Sequence, residues 1–203
     1  MKLIDRTVTD LLTAFEAPEP TPGGGSAAAL AGAIGAALLA MGARLPKPRA
    51  ATVEDATRLQ AAGDRCAALA ADLSVLVDGD SEAYQQVMAA YKRPKGSDEE
   101  KAARSAAIQS GLRAATAAPL DVMRACAAAA EQGVVIAALG NPSAASDVQV
   151  GMELLGAALR GARLNVETNL GSIKDAAYVE AVKREAEEFA RAIAHESAAA
   201  RRD

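Results

Sequence analysis

Two aspartates stand in sequence contexts where a carboxylate could act as an acid or a base. Asp80 lies in "LVDGDSEAY", two residues after Asp78, and Asp147 lies in "GNPSAASDVQVG". A carboxylate can take a proton from water, pass one to a leaving group or stabilise a nearby cation. Aspartates at a helix start are also ordinary caps. We rank Asp80 and Asp147 as the candidate catalytic residues, with capping as the alternative.

Three asparagines are candidates for reading a polar ligand. Asn165 and Asn169 in "LNVETNL" are four residues apart, so they share one face of a predicted helix in an apolar segment. Asparagine is a poor interior residue in helices, and buried amides need hydrogen-bond partners. The pair therefore forms either a polar bridge within the fold or a ligand contact. Asn141 lies in the turn cluster "LGNPSAASD" before Asp147.

The stretch "PGGGSAAALAGAIG" at residues 22–35 contains three consecutive glycines. It matches the dinucleotide fingerprint only formally, because prolines rather than a strand precede it, and it lacks the Lys of a Walker loop. What remains is a loop without side chains at a helix N-terminus, where free N–H groups suit an anion or a polar ligand edge. Gly23, Gly24, Gly25 and Ser26 are therefore candidate substrate-binding residues, with close helix packing as the alternative.

Basic residues flank two proline-containing turns. Lys47 and Arg49 follow the first predicted break, and Lys95 follows the second. The net charge of −4 argues against a general nucleic-acid binder. An anionic ligand would therefore need a local basic patch, and these three residues are candidates for it, although such charges are usually only solvated.

Histidine and cysteine content argues against a metal site. The sequence contains one histidine, His195, and two distant cysteines, Cys66 and Cys126, without paired spacing. We expect His195 to be solvated near a helix end and both cysteines to be buried, reduced thiols of a cytoplasmic protein. No serine–histidine or cysteine–histidine nucleophile can be assembled. An enzyme with this sequence would work through carboxylates and amides without a metal.

Composition predicts an all-α fold that positions these residues. Hydrophobic residues make up 51% of the 203 residues, aromatic residues 2%, and tryptophan is absent. A core of small aliphatic residues requires closely packed elements, which favours helices. We predict one domain, a bundle of about seven to nine helices around a buried Ala/Gly-rich helix. Residues 26–43 are uncharged, but the anchoring flanks of a membrane span are missing, and Asp5 and Asp10 argue against a signal peptide.

Prolines, glycines and capping residues give the expected helix boundaries. Pro46 ends the central helix, and interruptions are predicted at Gly79, Pro119 and Gly133. Helix starts are predicted at the capping pairs Thr52/Asp55 and Ser97/Glu100. The last two helices are expected over residues 147–163 and 172–200.

The predicted helix after residue 147 also sets a distance constraint. A continuous helix would hold Asp147 and Asn165 about 27 Å apart. They could then share a small substrate only across a dimer interface. Otherwise one of them is structural, or the helix breaks near Gly161.

Four stretches together resemble the cyclodeaminase/cyclohydrolase family, which comprises the C-terminal domain of formiminotransferase-cyclodeaminase and its stand-alone bacterial relatives. They are "PTPGGGSAAALAGAIGAAL", "DSEAYQQVMAAYKRPKGSDEEKAARSAAIQSGLRAATAAPLDV", "GNPSAASDVQVG" and "ARLNVETNLGSIKD", in this order. The resemblance spans residues 1–195, and we treat 1–203 as one such domain. One segment departs: "ARLPKPRAATVED" stands where many relatives have a pattern like "LT-x-GKK-x-Y".

The resemblance implies a helical homodimer that acts on one-carbon adducts of tetrahydrofolate. Its activities are hydration of 5,10-methenyltetrahydrofolate to the 10-formyl compound, and closure of 5-formimidoyltetrahydrofolate with loss of ammonia. The absence of a formiminotransferase half favours the cyclohydrolase. The folate is then a substrate, and no cofactor, nucleic acid or membrane is expected. The glycine loop would hold the pterin, the asparagines would read its edge, and the basic turns would hold the glutamate tail. The competing class is a helical module that binds folate or a partner without catalysis.

Overall fold

The computed structural model describes residues 1–200, which form six α-helices and one short 3-10 helix. The helices are α1 (Val8–Glu16), α2 (Gly24–Arg44), α3 (Val53–Tyr91), α4 (Asp98–Leu139), the 3-10 helix (Pro142–Ala144), α5 (Ala145–Leu170) and α6 (Ala176–Ala199). The all-α prediction is confirmed, and these 200 residues contain no strand. The six α-helices are fewer than the seven to nine predicted.

The smaller number arises because α3 and α4 continue through predicted breaks. Gly79 lies inside α3, and Pro119 and Gly133 lie inside α4. A lone glycine costs a helix only about 1 kcal/mol, which packing readily offsets. At Gly133 the packing is visible, because a Cβ there would collide with the thioether of Met152.

The helix α4 continues through Pro119 because a side chain from another helix supplies the hydrogen bond that the proline cannot make. Proline lacks an N–H, so the carbonyl of Ala115, four residues earlier, loses its helical donor. The Asn169 side chain on α5 donates its amide to that carbonyl at 2.7 Å. The buried oxygen is thereby satisfied, and α4 is linked to α5. One of the two predicted polar asparagines therefore serves as a bridge within the fold.

Two helix starts follow the predicted caps, and a third differs from the prediction. The Thr52 hydroxyl accepts from the Asp55 N–H at 3.0 Å, and Ser97 with Glu100 forms a complete capping box. The last helix begins at Ala176 rather than 172, because Asp175 caps it by accepting from the Tyr178 N–H. Local hydrogen bonding thus sets three of the helix starts.

The central helix is α2, which packs against α3, α4 and α5. Its glycine face is buried, and there the backbones approach closely. A Cβ at Gly35 would lie 2.8 Å from the carbonyl oxygen of Gly151 on α5, and a Cβ at Gly151 would lie 2.9 Å from that of Gly35. Gly35 therefore serves the close packing of α2 against α5.

The opposite face of α2 corrects the expectation that this helix is buried all round. Ile34 is 47% exposed and Met41 is 38% exposed. The exposed residues from 27 to 41 are all Ala, Ile or Met, flanked by half-buried Leu30 and Leu38. Both α2 and α4 are long and apolar enough to cross a membrane by length and composition, although both contribute buried residues to the bundle.

Candidate functional site

The N-terminal end of α2 meets the middle of α3 at Asp80. A Cβ at Gly25 would lie 2.7 Å from Asp80 Oδ2 and closer still to Oδ1, so only glycine leaves room for this carboxylate. The backbone N–H of Ser26 donates to the Asp80 carboxylate. A carboxylate from a distant helix thus occupies the place of an N-terminal cap on α2, where free N–H groups attract negative charge.

Two serines support the position of this carboxylate. Ser26 is fully buried, and its hydroxyl lies 3.3 Å from that of Ser81, the residue after Asp80. Sequence reasoning singled out Ser26 but missed Ser81; a serine beside Asp80 at the end of an apolar helical run was the available signal. The contact fixes the register of α3 against α2.

Asp78 has a different role from its neighbour. Its carboxylate accepts from the backbone N–H groups of Leu3 at 2.6 Å and Ile4 at 3.4 Å. Asp78 therefore ties the beginning of the chain to α3. Neither Asp78 nor Asp80 caps its own helix, because both lie in the interior of α3.

The third element at this end is the C-terminal half of α5. Asn165 Nδ2 lies 3.7 Å from where a Cβ of Gly24 would stand, and it donates to the Gly161 carbonyl at 3.0 Å. Asn165 therefore faces the glycine turn of α2. The structure thus brings together Gly24, Gly25, Ser26, Asp80 and Asn165, with Gly23 as the cap position of α2. We call this set the Asp80 site.

Burial perturbs the acid–base behaviour of Asp80. Desolvation raises the pKa of this carboxyl above its usual value, and the hydrogen bond from the Ser26 N–H lowers it by less. A carboxyl that titrates above the normal range exchanges protons closer to neutral pH. That property suits a general base or acid.

We predict that Asp80→Asn raises the melting temperature at pH 7. The folded pKa of Asp80 is raised, so the stability of the protonated form at low pH is lost as pH rises through that pKa. Asparagine keeps an acceptor for Ser26 but carries no charge to desolvate. The gain over wild type should shrink as pH falls below the raised pKa, which thermal denaturation at several pH values measures. A gain that grows toward acid pH would contradict this.

The second predicted carboxylate lies at the other end of the bundle. Asp147 is half-buried in the first turn of α5, and its neighbour Val148 packs against Gly42 near the end of α2. Gly25 and Gly42 are separated along α2 by about 26 Å. Because α5 is continuous past Gly161, the predicted distance constraint holds within one chain.

Three more candidate residues accompany Asp147 rather than Asp80. Asn141 donates through Nδ2 to the Pro46 carbonyl at 2.5 Å and accepts from the Ser143 N–H at 2.7 Å. The Arg49 backbone N–H donates to the Gly140 carbonyl at 3.1 Å, and Lys47 lies in the same turn with φ 58°. The divergent "ARLPKPRAATVED" segment is thereby fastened to the end of α4. The exposed Lys95 lies instead in the turn after α3.

The structure confirms the predicted burial of both cysteines and the predicted exposure of the histidine. Cys66 and Cys126 are free and buried, and burial raises the pKa of both thiols to about 12. The His195 side chain is 80% exposed, next to Glu196. Over residues 1–200, no three His, Cys, Asp or Glu side chains are grouped to hold a metal ion.

Comparison with known proteins gives consistent matches over most of the chain. The profile of the family described as formiminotransferase-cyclodeaminase matches residues 7–188. A methenyltetrahydrofolate cyclohydrolase from Methylorubrum extorquens is 38% identical over 183 residues, covering 90% of this chain and 88% of that protein. The formimidoyltransferase-cyclodeaminase of Rattus norvegicus is 33% identical over 178 residues, covering 88% of this chain but 33% of the rat protein.

A solved structure has the same fold. The crystal structure of a formiminotetrahydrofolate cyclodeaminase from Thermotoga maritima superimposes with a TM-score of 0.86 at 25% identity. The match covers 98% of this chain and 96% of that one. The fold is therefore shared over nearly the whole length of both chains.

Proposed function

This chain belongs to the formiminotransferase-cyclodeaminase family, and from that membership we propose that it is a methenyltetrahydrofolate cyclohydrolase. The reaction adds water to 5,10-methenyltetrahydrofolate and yields 10-formyltetrahydrofolate. The observation that carries the proposal is the match to the Methylorubrum extorquens cyclohydrolase, which extends over most of both chains. The folate adduct enters as the substrate, and no further cofactor or metal is invoked.

The Asp80 site supplies the chemistry that this reaction needs. The methenyl carbon carries a positive charge shared by two nitrogens, and a fixed carboxylate beside it stabilises the cation electrostatically. Asp80 also acts as general base: it takes a proton from the attacking water and returns it to N5 as the C–N5 bond breaks. The carbinol hydroxyl loses its own proton to solvent and becomes the formyl oxygen. Its raised pKa means that the ionised base forms only at higher pH, so turnover should rise with pH through that pKa.

The surrounding groups orient the substrate in this proposal. The pterin lies against the side-chain-free turn Gly23–Gly25, where the backbone N–H groups of α2 meet its polar edge. Asn165 reads the same edge from α5. Asn169 acts as a positioning residue, since its amide holds α4 to α5. Lys95, on the α3–α4 turn, attracts the glutamate tail.

A second candidate activity is the ammonia-releasing closure of 5-formimidoyltetrahydrofolate. The structural match to the Thermotoga maritima protein, whose name is a cyclodeaminase, favours it. The two reactions share the methenyl cation, as product in one and as substrate in the other. The same carboxylate would then help a proton reach the departing ammonia.

Absorbance distinguishes the two activities and tests both. Methenyltetrahydrofolate absorbs in the near ultraviolet, so a cyclohydrolase accelerates its decay in proportion to protein concentration. Growth of that band from 5-formimidoyltetrahydrofolate would establish the cyclodeaminase instead. If neither assay shows turnover but the protein still binds folate, the chain is a non-catalytic folate-binding module.

We also propose that the functional unit is a cytoplasmic homodimer formed through α2 and α5. The exposed apolar face of α2, which includes Ile34 and Met41, is continuous with α5, because Leu38 lies against Gly151. On α5, Val150 is 51% exposed and Leu164 is 65% exposed. Exposed apolar positions at heptad-like spacing on two adjacent helices are typical of a helix–helix interface. A second copy of the chain offers the same self-complementary surface.

A two-fold axis near Ile34 would make the site composite. The two α2 helices would then run antiparallel, and the Gly24 end of each would lie beside the Arg44 end of the other. Asp147 of the partner subunit, with Asn141, Lys47 and Arg49 of the partner subunit, would approach the Asp80 site. This arrangement accommodates two carboxylates that one chain holds about 26 Å apart.

Mixing two inactive variants tests the composite site. We expect Asp80→Asn and Asp147→Asn to be weakly active alone. After denaturation and joint refolding, random pairing gives mixed dimers with one intact site, and about a quarter of wild-type activity should return. If the mixture stays as inactive as its parents, or Asp147→Asn alone is fully active, the composite site is wrong. Analytical ultracentrifugation of each variant controls for dimer formation.

A further inference from the structure

The α3–α4 hairpin extends well beyond the N-terminal end of α2. Asp80 lies beside Gly25 in the first turn of α2, yet α3 continues to Tyr91, which adds about 16 Å of helix. The extension has its own small core, in which buried Val87 and Ala90 of α3 pack with Ile108 and Leu112 of α4. It is therefore a supported structure next to the Asp80 site.

One face of this extension carries large side chains that are partly exposed. Leu73, Val77 and Asp80 lie on the face of α3 that is turned toward α2, and the first two are completely buried. The helical period places three more residues on the same face, beyond the end of α2. They are Tyr84, Met88 and Tyr91, which are 37%, 37% and 43% exposed. We call these three the platform.

The outer end of the platform is positively charged. Lys92 is the C-cap residue after α3, and Arg93 and Lys95 follow in the turn. The guanidinium of Arg104 lies 5.6 Å from the centroid of the Tyr91 ring and donates to the Tyr91 carbonyl.

The acidic side chains near this turn already have hydrogen-bond or ion-pair partners. Glu100 accepts from the N–H groups of Gly96 and Ser97, and Asp98 pairs with Lys101. The flat, polarisable platform thus leads from a carboxylate to a cluster of cations.

We propose that the platform binds the aminobenzoyl ring of the tetrahydrofolate substrate and directs its glutamate tail to the basic turn. This rests on the function proposed above and names specificity residues for it. Along α3, Tyr84 lies about 6 Å, Met88 about 12 Å and Lys92 about 18 Å from Asp80. The substrate has the same order of groups: a reacting pterin, a flat benzamide, then carboxylates. Tyrosine rings and methionine sulfur both favour contact with an aromatic ring.

The test separates ring binding from tail binding and from chemistry. Steady-state kinetics would compare the methenyl derivatives of tetrahydrofolate, of its triglutamate and of tetrahydropteroate, which keeps the ring but lacks glutamate. For Tyr84→Ala we expect KM to rise about tenfold for all three, with kcat nearly unchanged. Lys92→Ala should raise KM only for the two substrates with glutamate, most for the triglutamate.

Two control variants sharpen the comparison. Tyr84→Phe keeps the ring, so its KM should rise far less than that of Tyr84→Ala. Val75→Ala removes an apolar side chain that is 68% exposed on the opposite side of α3 and should leave KM unchanged.

Each outcome decides between the proposals. Unchanged KM in Tyr84→Ala, with an active wild type, overturns the platform and leaves the proposed function intact. Absent wild-type turnover overturns the proposed function first. If Tyr84→Ala or Met88→Ala instead converts dimers to monomers in ultracentrifugation, a second copy covers this face, and the substrate proposal is wrong.

Discussion

Asp80→Asn should lower kcat for methenyltetrahydrofolate about a thousandfold while KM changes less than about threefold. Asparagine retains an acceptor for the Ser26 N–H, so the packing against Gly25 is preserved. What disappears is the negative charge beside the cation and the base that takes the proton from water. Both act on the transition state more than on the bound substrate, so the loss falls on kcat. Stopped-flow absorbance measures it.

Asp78→Asn is the matched control for this variant. It makes the same chemical change two residues away on the same helix, but Asp78 only accepts from the backbone of Leu3 and Ile4. We expect near wild-type kcat and at most a modest loss of stability. Equal activity loss in both variants would point to a general disturbance of α3. Retention of more than about a tenth of the activity in Asp80→Asn would remove Asp80 from the role of base.

The sequence predicted the class of the fold because its determinants are local. Small aliphatic residues, capping pairs such as Ser97/Glu100 and the glycine run before α2 each specify helix without reference to distant residues. The helix number was less accessible, since Pro119 breaks a helix unless another element supplies a donor for the Ala115 carbonyl. That donor, Asn169, lies 54 residues away from Ala115, and no local sequence pattern predicts this hydrogen bond.

The sequence analysis named the residue types of the candidate site but not their grouping. Asp80, Gly25 and Asn165 come from three helices, and their meeting depends on the antiparallel packing of α2 with α5. The sequence showed only that Asp147 and Asn165 would be far apart on a continuous helix, which the structure bears out. Which carboxylate shares a site with the glycine turn is a tertiary property. The raised pKa of Asp80 is likewise a consequence of burial.

A pair of single substitutions tests why glycine stands at position 25. Gly25→Ala should lower kcat about a hundredfold, because the new Cβ would collide with both oxygens of the Asp80 carboxylate and a displacement of about 1 Å misaligns the base. The carboxylate would have to leave the Ser26 N–H, so its pKa would change together with the rate. The pH dependence of kcat and the melting temperature should be measured on the same protein sample.

Gly24→Ala is the control that distinguishes displacement of the carboxylate from stiffening of the turn. Its Cβ would meet Asn165 Nδ2 at 3.7 Å, an ordinary contact, and both substitutions remove one glycine from the same helix end. Because Gly24 lies in the turn proposed to hold the pterin, we expect Gly24→Ala to raise KM but to keep kcat within about threefold of wild type. Equal losses in the two variants would mean that the turn needs flexibility or open space for the substrate. A loss confined to Gly25→Ala would mean that this glycine exists to admit Asp80.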